Sequence, residues 1–119
     1  GFPVEKTIKT LFVGLGREKY SFVLMPGDKQ LDLKPLAKAC SVKRAAMADI
    51  PTAQRLTGYQ VGGISPFGSK QRLQVVMEES MLKFDKVIIN AGQRGIMLMM
   101  APEDIVKALN CTLYSFARK

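Results

Sequence analysis

The chain has 119 residues, of which 47% are hydrophobic and 24% charged, and this size and composition are typical of one domain with a hydrophobic core. Eighteen lysines and arginines against ten acidic residues give a net charge of +8, which favours a polyanionic partner, above all nucleic acid. The absence of histidine excludes Ser-His-Asp and Cys-His catalysis, and it leaves no recognisable zinc site.

Hydrophobic periodicity and turn residues predict alternating strands and short helices. Gly16 ends the first strand, Asp32 stands at a helix N-cap, and Pro102 opens the last helix ahead of two acidic residues. We expect strands at 7–15, 20–25, 42–47, 73–77, 86–90, 96–100 and 112–116, and helices at 33–40, 51–57 and 102–109. The sequence therefore predicts an α+β fold: a single compact domain over residues 1–119, with a mixed, mostly antiparallel sheet and short flanking helices.

The cellular setting is predicted from what the chain lacks. No apolar run approaches the roughly 20 residues of a membrane span, so we expect a soluble, cytoplasmic protein with no membrane partner. Cys40 and Cys111 have no CxxC spacing, and both are expected to be buried free thiols in a reducing compartment.

The stretch 58–68 holds four glycines and one proline in eleven positions. Glycine reaches positive φ cheaply and lets successive backbone N–H groups point into one concavity that binds anions or carbonyl oxygens. A tight connection with a helix C-cap at Gly58 and a turn at Pro66 is the alternative interpretation. Phosphate-loop and dinucleotide fingerprints are missing, because no GK[ST] follows Gly63 and Gly14-x-Gly16 lacks a third glycine.

Ester hydrolysis is the chemistry that this composition still permits. The acidic residues form no convincing acid/base pair, but backbone N–H groups of Gly62 and Gly63 could stabilise an oxyanion while water or the substrate itself attacks. Lys9 is the side chain that we place at such a site, because it interrupts an apolar strand. From spacing alone, a lysine that faces solvent in an alternating strand is the better interpretation.

Four segments together resemble the YbaK/EbsC family of aminoacyl-tRNA deacylases. They are Ile8-Lys9-Thr10-Leu11; Leu31 to Lys34 with Leu36 to Ala39; Thr57 to Tyr59 with Val61 to Gly68; and Asn90 to Gly95. The motifs occur in the family's order from Lys9 to about Ala117. The chain is most similar to the Cys-tRNA(Pro) deacylases, because Thr10 follows Lys9 where alanine-specific relatives tend to have asparagine.

The resemblance implies trans editing, the hydrolysis of the ester that joins a wrong amino acid to tRNA(Pro). The substrate cysteine would attack its own ester with its thiol, without metal or cofactor. Lys9 would lie near the tRNA 3′ end, with Gly62 and Gly63 as oxyanion donors. Further substrate-binding residues would be Thr10, Ile64, Ser65, Pro66, Phe67, Asn90, Gly92 and Arg94. The implied partners are tRNA, most of all tRNA(Pro), and prolyl-tRNA synthetase.

Two departures from the family pattern bear on activity. Met97 stands where near relatives carry an acidic residue, which affects the expected choice of amino acid. Family members also carry an N-terminal helix and strand before the segment that corresponds to Lys9, and we expect that part to be missing here. A non-catalytic module that binds tRNA or a synthetase is therefore the second hypothesis, and the sequence fixes neither the preferred amino acid nor the oligomeric state.

A basic cluster accompanies the first predicted helix. We expect its members to contact tRNA phosphates, whereas a solvated surface is the alternative. The cluster consists of Lys34, Lys38, Lys43 and Arg44, and we expect Lys70 and Arg72, which follow the glycine-rich stretch, to contact phosphates as well.

Overall fold

The computed structural model describes residues 3–16, 19–49, 51–52, 55, 74–90 and 97–118. The strands in these ranges are β1 (Ile8–Gly14), β2 (Tyr20–Pro26), β3 (Gln30–Leu31), β4 (Ala46–Met47), β5 (Gln74–Glu78), β6 (Val87–Asn90), β7 (Met97–Met100), β8 (Thr112–Tyr114) and β9 (Ala117–Arg118). The helices that lie wholly within them are α1 (Leu33–Ala39) and α2 (Pro102–Leu109), with 3₁₀ turns at Val4–Lys6 and Glu79–Lys83. Pro51, Thr52 and Arg55 are also helical.

A five-stranded mixed sheet in the order β4-β1-β2-β5-β8 forms the centre of the molecule. β1 is antiparallel to β2 and β4, whereas β5 is parallel to β2 and β8. Two antiparallel pairs, β3–β9 and β6–β7, complete the described strands. The single α+β domain with a mixed sheet and short helices is thereby confirmed.

Hydrophobic clusters cover both faces of the central sheet because alternate side chains of each strand point to opposite sides. The 3₁₀ turn Glu79–Lys83, the β6–β7 pair and α2 contribute to the first cluster, and α1 contributes to the second. The first contains Ile8, Phe12, Phe22, Leu24, Val75, Met77, Met81, Val87, Ile89 and Ile105. The second contains Val13, Leu15, Val23, Met25, Leu36, Ala37, Ala45, Val76 and Phe116.

The predicted strand at 42–47 was too long, since only Ala46 and Met47 are extended strand. The cause is the end of α1, where Ser41 adopts a φ of 58° and the N–H of Val42 donates to the carbonyl of Ala37 at 2.9 Å. These residues close the helix and are unavailable to a strand ladder. The short β3–β9 pair has no periodic pattern of its own, and the sequence did not predict it.

Glu78 is a buried carboxylate that fixes the C-terminal segment against the sheet. Its side chain is 4% exposed, and Oε2 accepts hydrogen bonds from the N–H groups of Phe116 at 2.8 Å and Ala117 at 3.2 Å. The predicted strand at 112–116 accordingly ends at Tyr114, because the N–H of Phe116 bonds to a side chain. An ionised carboxylate makes stronger hydrogen bonds of this kind than a neutral acceptor does.

We expect Glu78→Ala to lower the free energy of unfolding by about 1–3 kcal/mol, because two backbone N–H groups lose a buried acceptor. Urea denaturation followed by circular dichroism measures the change. The matched control is Glu79→Ala, at the exposed neighbouring position, which should stay within about 0.5 kcal/mol of the parent chain. Equal midpoints for the two variants would contradict the role given to Glu78.

Candidate functional site

A cleft of about 380 Å³ lies at the end of the β1–β2 hairpin, beside β4. Three parts of the chain line this cleft: the hairpin end, the β4 segment and the helical turn that follows β4. Glycines, an aromatic ring and charges of both signs surround the same space, which is therefore able to hold a small polar ligand. The lining residues are Gly14, Gly16, Tyr20, Arg44, Ala46, Met47, Ala48, Asp49 and Thr52.

Asp49 opens the helical turn on one side of this cleft. Its Oδ1 accepts a hydrogen bond from the backbone N–H of Thr52 at 2.7 Å, which is an N-cap arrangement. The hydrogen bonds from Thr52, aided by the charge of Arg55, hold the pKa of Asp49 below its ordinary value. Asp49 is therefore a negative charge in the cleft at neutral pH.

Lys9 does not lie in this cleft. It is half-buried on β1, and its Nζ donates a hydrogen bond to the backbone carbonyl of Lys29. Gly14 is five residues further along β1 and on the other face, roughly 17 Å away at the rise of a strand. Lys9 and the cleft are thus separate places on one strand.

Thr10 follows Lys9 on β1, with its side chain on the other face of the sheet. The N–H of Gly27 donates to the carbonyl of Thr7 and the N–H of Leu15 donates to that of Lys19, so odd-numbered residues of β1 bond to β2. The backbone groups of Thr10 therefore point to the opposite edge, which β6 approaches at the bridge between Thr7 and Ile88. The Oγ1 of Thr10 is buried without a hydrogen-bond partner among the described residues. A polar substrate group could satisfy it.

The other predicted site residues are only partly described. Asn90 ends β6 and pairs with Met97 of β7, and Met97 is 46% exposed, so the departure from the family pattern falls on an accessible side chain. The remaining predicted site residues lie outside the described residues: Gly62, Gly63, Ile64, Ser65, Pro66, Phe67, Gly92 and Arg94. The cleft itself was not predicted, although its sequence signal, Gly14-x-Gly16 before Tyr20, was present.

The two cysteines are free and half-buried, which corrects the expectation of full burial. Cys111 lies just after α2, and its Sγ donates to the carbonyl of Ile105 at 3.8 Å. Burial raises the pKa of Cys111 to about 11 and that of Cys40 above 9.0. Both therefore remain protonated thiols at neutral pH and are poor nucleophiles.

Two further features bear on the class of protein. No group of three or more metal-ligating side chains occurs within the described ranges. Nor does any described helix have the length and apolar character needed to cross a membrane. A mixed sheet and a polar cleft at one end of it remain as the features of the described residues that bear on ligand binding.

The sequence profile of the aminoacyl-tRNA editing domain matches residues 1–108, and the chain belongs to that family. The predicted resemblance is confirmed. The sequence also predicted an aminoacyl-tRNA deacylase, and the relatives are named as enzymes of that class.

Two curated relatives and one solved structure define the similarity. EbsC of Enterococcus faecalis, named provisionally as a Cys-tRNA(Pro)/Cys-tRNA(Cys) deacylase, is 33% identical over 110 residues, 92% of this chain and 67% of EbsC. ProXp-y of Escherichia coli, a multifunctional Ser/Thr-tRNA deacylase, is 27% identical over 106 residues, 88% of this chain and 64% of ProXp-y. The chain thus spans about two thirds of the length of these relatives.

A crystal structure described provisionally as a trans-editing enzyme for prolyl tRNA synthetase superposes with a TM-score of 0.89 at 20% identity. The superposition covers 98% of this chain and 73% of the other. At that identity the likeness establishes the shared fold.

The thiol of Cys111 predicts a specific dependence of stability on pH. The unfolded chain releases this proton near pH 9.0, whereas the folded chain retains it to about pH 11, so the unfolded state binds fewer protons between these values. The stability that Cys111 contributes is therefore complete below pH 9.0 and is lost as the pH rises to about 11.

We expect the difference in unfolding free energy between the parent chain and Cys111→Ser to be flat at neutral pH and to fall in alkali. Urea denaturation over this pH range measures it, and lysines and tyrosines titrate in both proteins and cancel in the difference. A difference that does not change with pH would contradict the raised pKa.

Proposed function

We propose that this chain hydrolyses the ester of mischarged tRNA, with Cys-tRNA(Pro) as its first substrate. The observation that carries the proposal is the family match over residues 1–108, together with the 33% identity to a relative named for that substrate. The charge of +8 suits a tRNA partner. With an aminoacyl-tRNA substrate, the protein would act in the cytoplasm. It would hydrolyse the mischarged tRNA that prolyl-tRNA synthetase produces.

Two polar side chains of β1 support this proposal, Lys9 on one face of the sheet and Thr10 on the other. The ammonium of Lys9 has three N–H donors, of which one bonds to the carbonyl of Lys29. No other acceptor for this ammonium lies among the described residues, and a phosphate or ribose oxygen at the tRNA 3′ end would take its remaining donors. The buried Oγ1 of Thr10 has no partner among the described residues and would bond to the aminoacyl group.

The proposed reaction needs no protein nucleophile, which suits a chain without histidine and with two protonated thiols. The substrate's thiolate attacks its own ester carbonyl, and the N–H groups of Gly62 and Gly63 stabilise the oxyanion. The carbon–oxygen bond to the ribose then breaks, and the ribose oxygen takes up the proton that the thiol released. Water opens the resulting cyclic thioester to give free cysteine.

The direct test is to incubate the protein with Cys-tRNA(Pro) and to follow loss of the acyl group. Ser-tRNA(Pro) is the matched substrate, because it replaces the thiol with a hydroxyl that ionises much less readily. Faster loss of cysteine than of serine is expected. Equal rates would remove the substrate-thiol step, and tRNA binding without hydrolysis of either ester would favour the non-catalytic module.

We expect Lys9→Ala to lower kcat/KM for this hydrolysis by about 100-fold, because the variant loses a charged hydrogen bond to the 3′ end. The matched control is Lys107→Ala, an exposed lysine on α2, which should keep the parent rate. Circular dichroism checks that both variants are folded. Parent activity in a folded Lys9→Ala protein would refute the assignment.

We expect Gly62→Ala and Gly63→Ala each to lower kcat by about 100-fold, since the added Cβ displaces a donor from the oxyanion. Gly68→Ala, in the same glycine-rich stretch but outside the proposed donor pair, is the control. Single-turnover rates with Cys-tRNA(Pro) provide the measurement. Unchanged rates in folded Gly62 and Gly63 variants would rule out a backbone oxyanion site there.

A further inference from the structure

The cleft at the hairpin end is wider than the packing of the protein requires, because a larger side chain would fit at Gly14. Gly14 lies inside β1, and a Cβ there would meet the carbonyl oxygen of Ala46 at 3.6 Å and Cε1 of Tyr20 at 3.7 Å, which are ordinary contacts. Its φ is also outside the positive region. A larger residue is therefore compatible with the backbone at Gly14, and the glycine leaves Tyr20 uncovered.

Gly16 widens the same opening for a different reason. Its φ of +93° requires glycine for the turn, and a Cβ built on it would have no atom within 4 Å. Gly14 therefore leaves space beside the Tyr20 ring, and Gly16 adds no side chain to the same cleft.

Tyr20 is held rigidly at this opening. Its ring stacks on that of Phe12, with centroids 5.4 Å apart and planes only 7° from parallel. Phe12 is itself buried in the first core cluster. A planar ligand that contacts Tyr20 therefore meets an aromatic surface already fixed in place, which lowers the entropic cost of binding.

Charges of opposite sign line the cleft without pairing with each other. The exposed Arg44 forms no salt bridge with a carboxylate of the described residues, and Asp49 bonds to the backbone of Thr52. Arginine binds phosphate oxygens in a bidentate manner, and a carboxylate accepts hydrogen bonds from amino groups. An anionic group, a planar ring and a hydrogen-bond donor are thus the features of a complementary ligand.

We propose that this cleft binds a nucleotide, with its phosphate on Arg44 and its base against the Tyr20 ring. The inference rests on the proposed function in that the nucleotide belongs to tRNA. Lys9, the residue assigned to the esterified end, is roughly 17 Å away along β1. The bound nucleotide is therefore one other than the terminal adenosine that carries the amino acid.

Titrating ¹⁵N-labelled protein with AMP, adenosine and inorganic phosphate at millimolar concentrations tests the site directly. AMP should shift the amide resonances of Gly14, Gly16 and Tyr20, and adenosine should shift them more weakly. Arg44→Ala should weaken AMP binding by about 10-fold, the effect of losing one charge-assisted bond, and should leave adenosine binding unchanged. Lys107→Ala, which removes an exposed cation of α2 outside the cleft, should bind AMP like the parent chain.

Gly14→Ala and Gly14→Val provide a graded test of the opening itself. Both should keep the parent circular dichroism spectrum, because a β-branched residue suits a strand, and they should weaken AMP binding in the order of their size. Parent affinity in a folded Gly14→Val protein overturns the proposal. Inorganic phosphate that shifts the same amide resonances as strongly as AMP would also overturn the proposal, since the site would then bind any anion.

An RNA that ends in CCA and carries no amino acid tests whether the site binds a nucleotide of tRNA. It should displace AMP, and failure to do so would overturn the assignment to a tRNA nucleotide. None of these measurements needs hydrolysis. Loss of the proposed deacylase activity and loss of the nucleotide site are therefore separate outcomes.

Discussion

The whole architecture depends on β2 being paired along both edges. Residues 21–26 of this strand are buried, with β1 antiparallel on one side and β5 parallel on the other. In a strand whose two faces are both covered, every side chain contributes to a core, and its backbone bonds are shielded from water. The hairpin and the strand that arrives later in the chain therefore hold each other in register, and the ends of β1 are fixed in space.

β1 consequently places two polar regions at a set distance. One region is the segment with Lys9 and Thr10, and the other is the cleft that begins at Gly14. A long, flexible polyanion such as the end of a tRNA can contact both at once, and two weak contacts joined by one chain reinforce each other. A small ester could contact only one of them, so the spacing along β1 favours a polymeric substrate.

Local patterns predicted those elements whose signals are themselves local. The hairpin followed from β-rich runs broken at Gly16, and α2 followed from Pro102 with its two acidic neighbours. The parallel pairing of β2 with β5 joins residues more than fifty positions apart, and no periodicity encodes it. The cleft was missed for the same reason, because Gly14 and Arg44 approach each other only after folding. Lys9 could be singled out as a polar residue within an apolar strand, but its bond to the Lys29 carbonyl could not.

The methionines differ in solvent exposure, and this difference divides them into two chemical classes. Met97 and Met99 of β7 are 46% and 61% exposed, whereas Met25, Met77 and Met81 are fully buried. Thioethers at the surface are readily converted to sulfoxides, which turns an apolar strand into a polar one, while those in a packed core are protected. Oxidative damage to the folded protein would therefore begin on β7 and at Met47 of β4, which is 50% exposed, leaving the buried sulfur atoms intact for as long as the central sheet is closed.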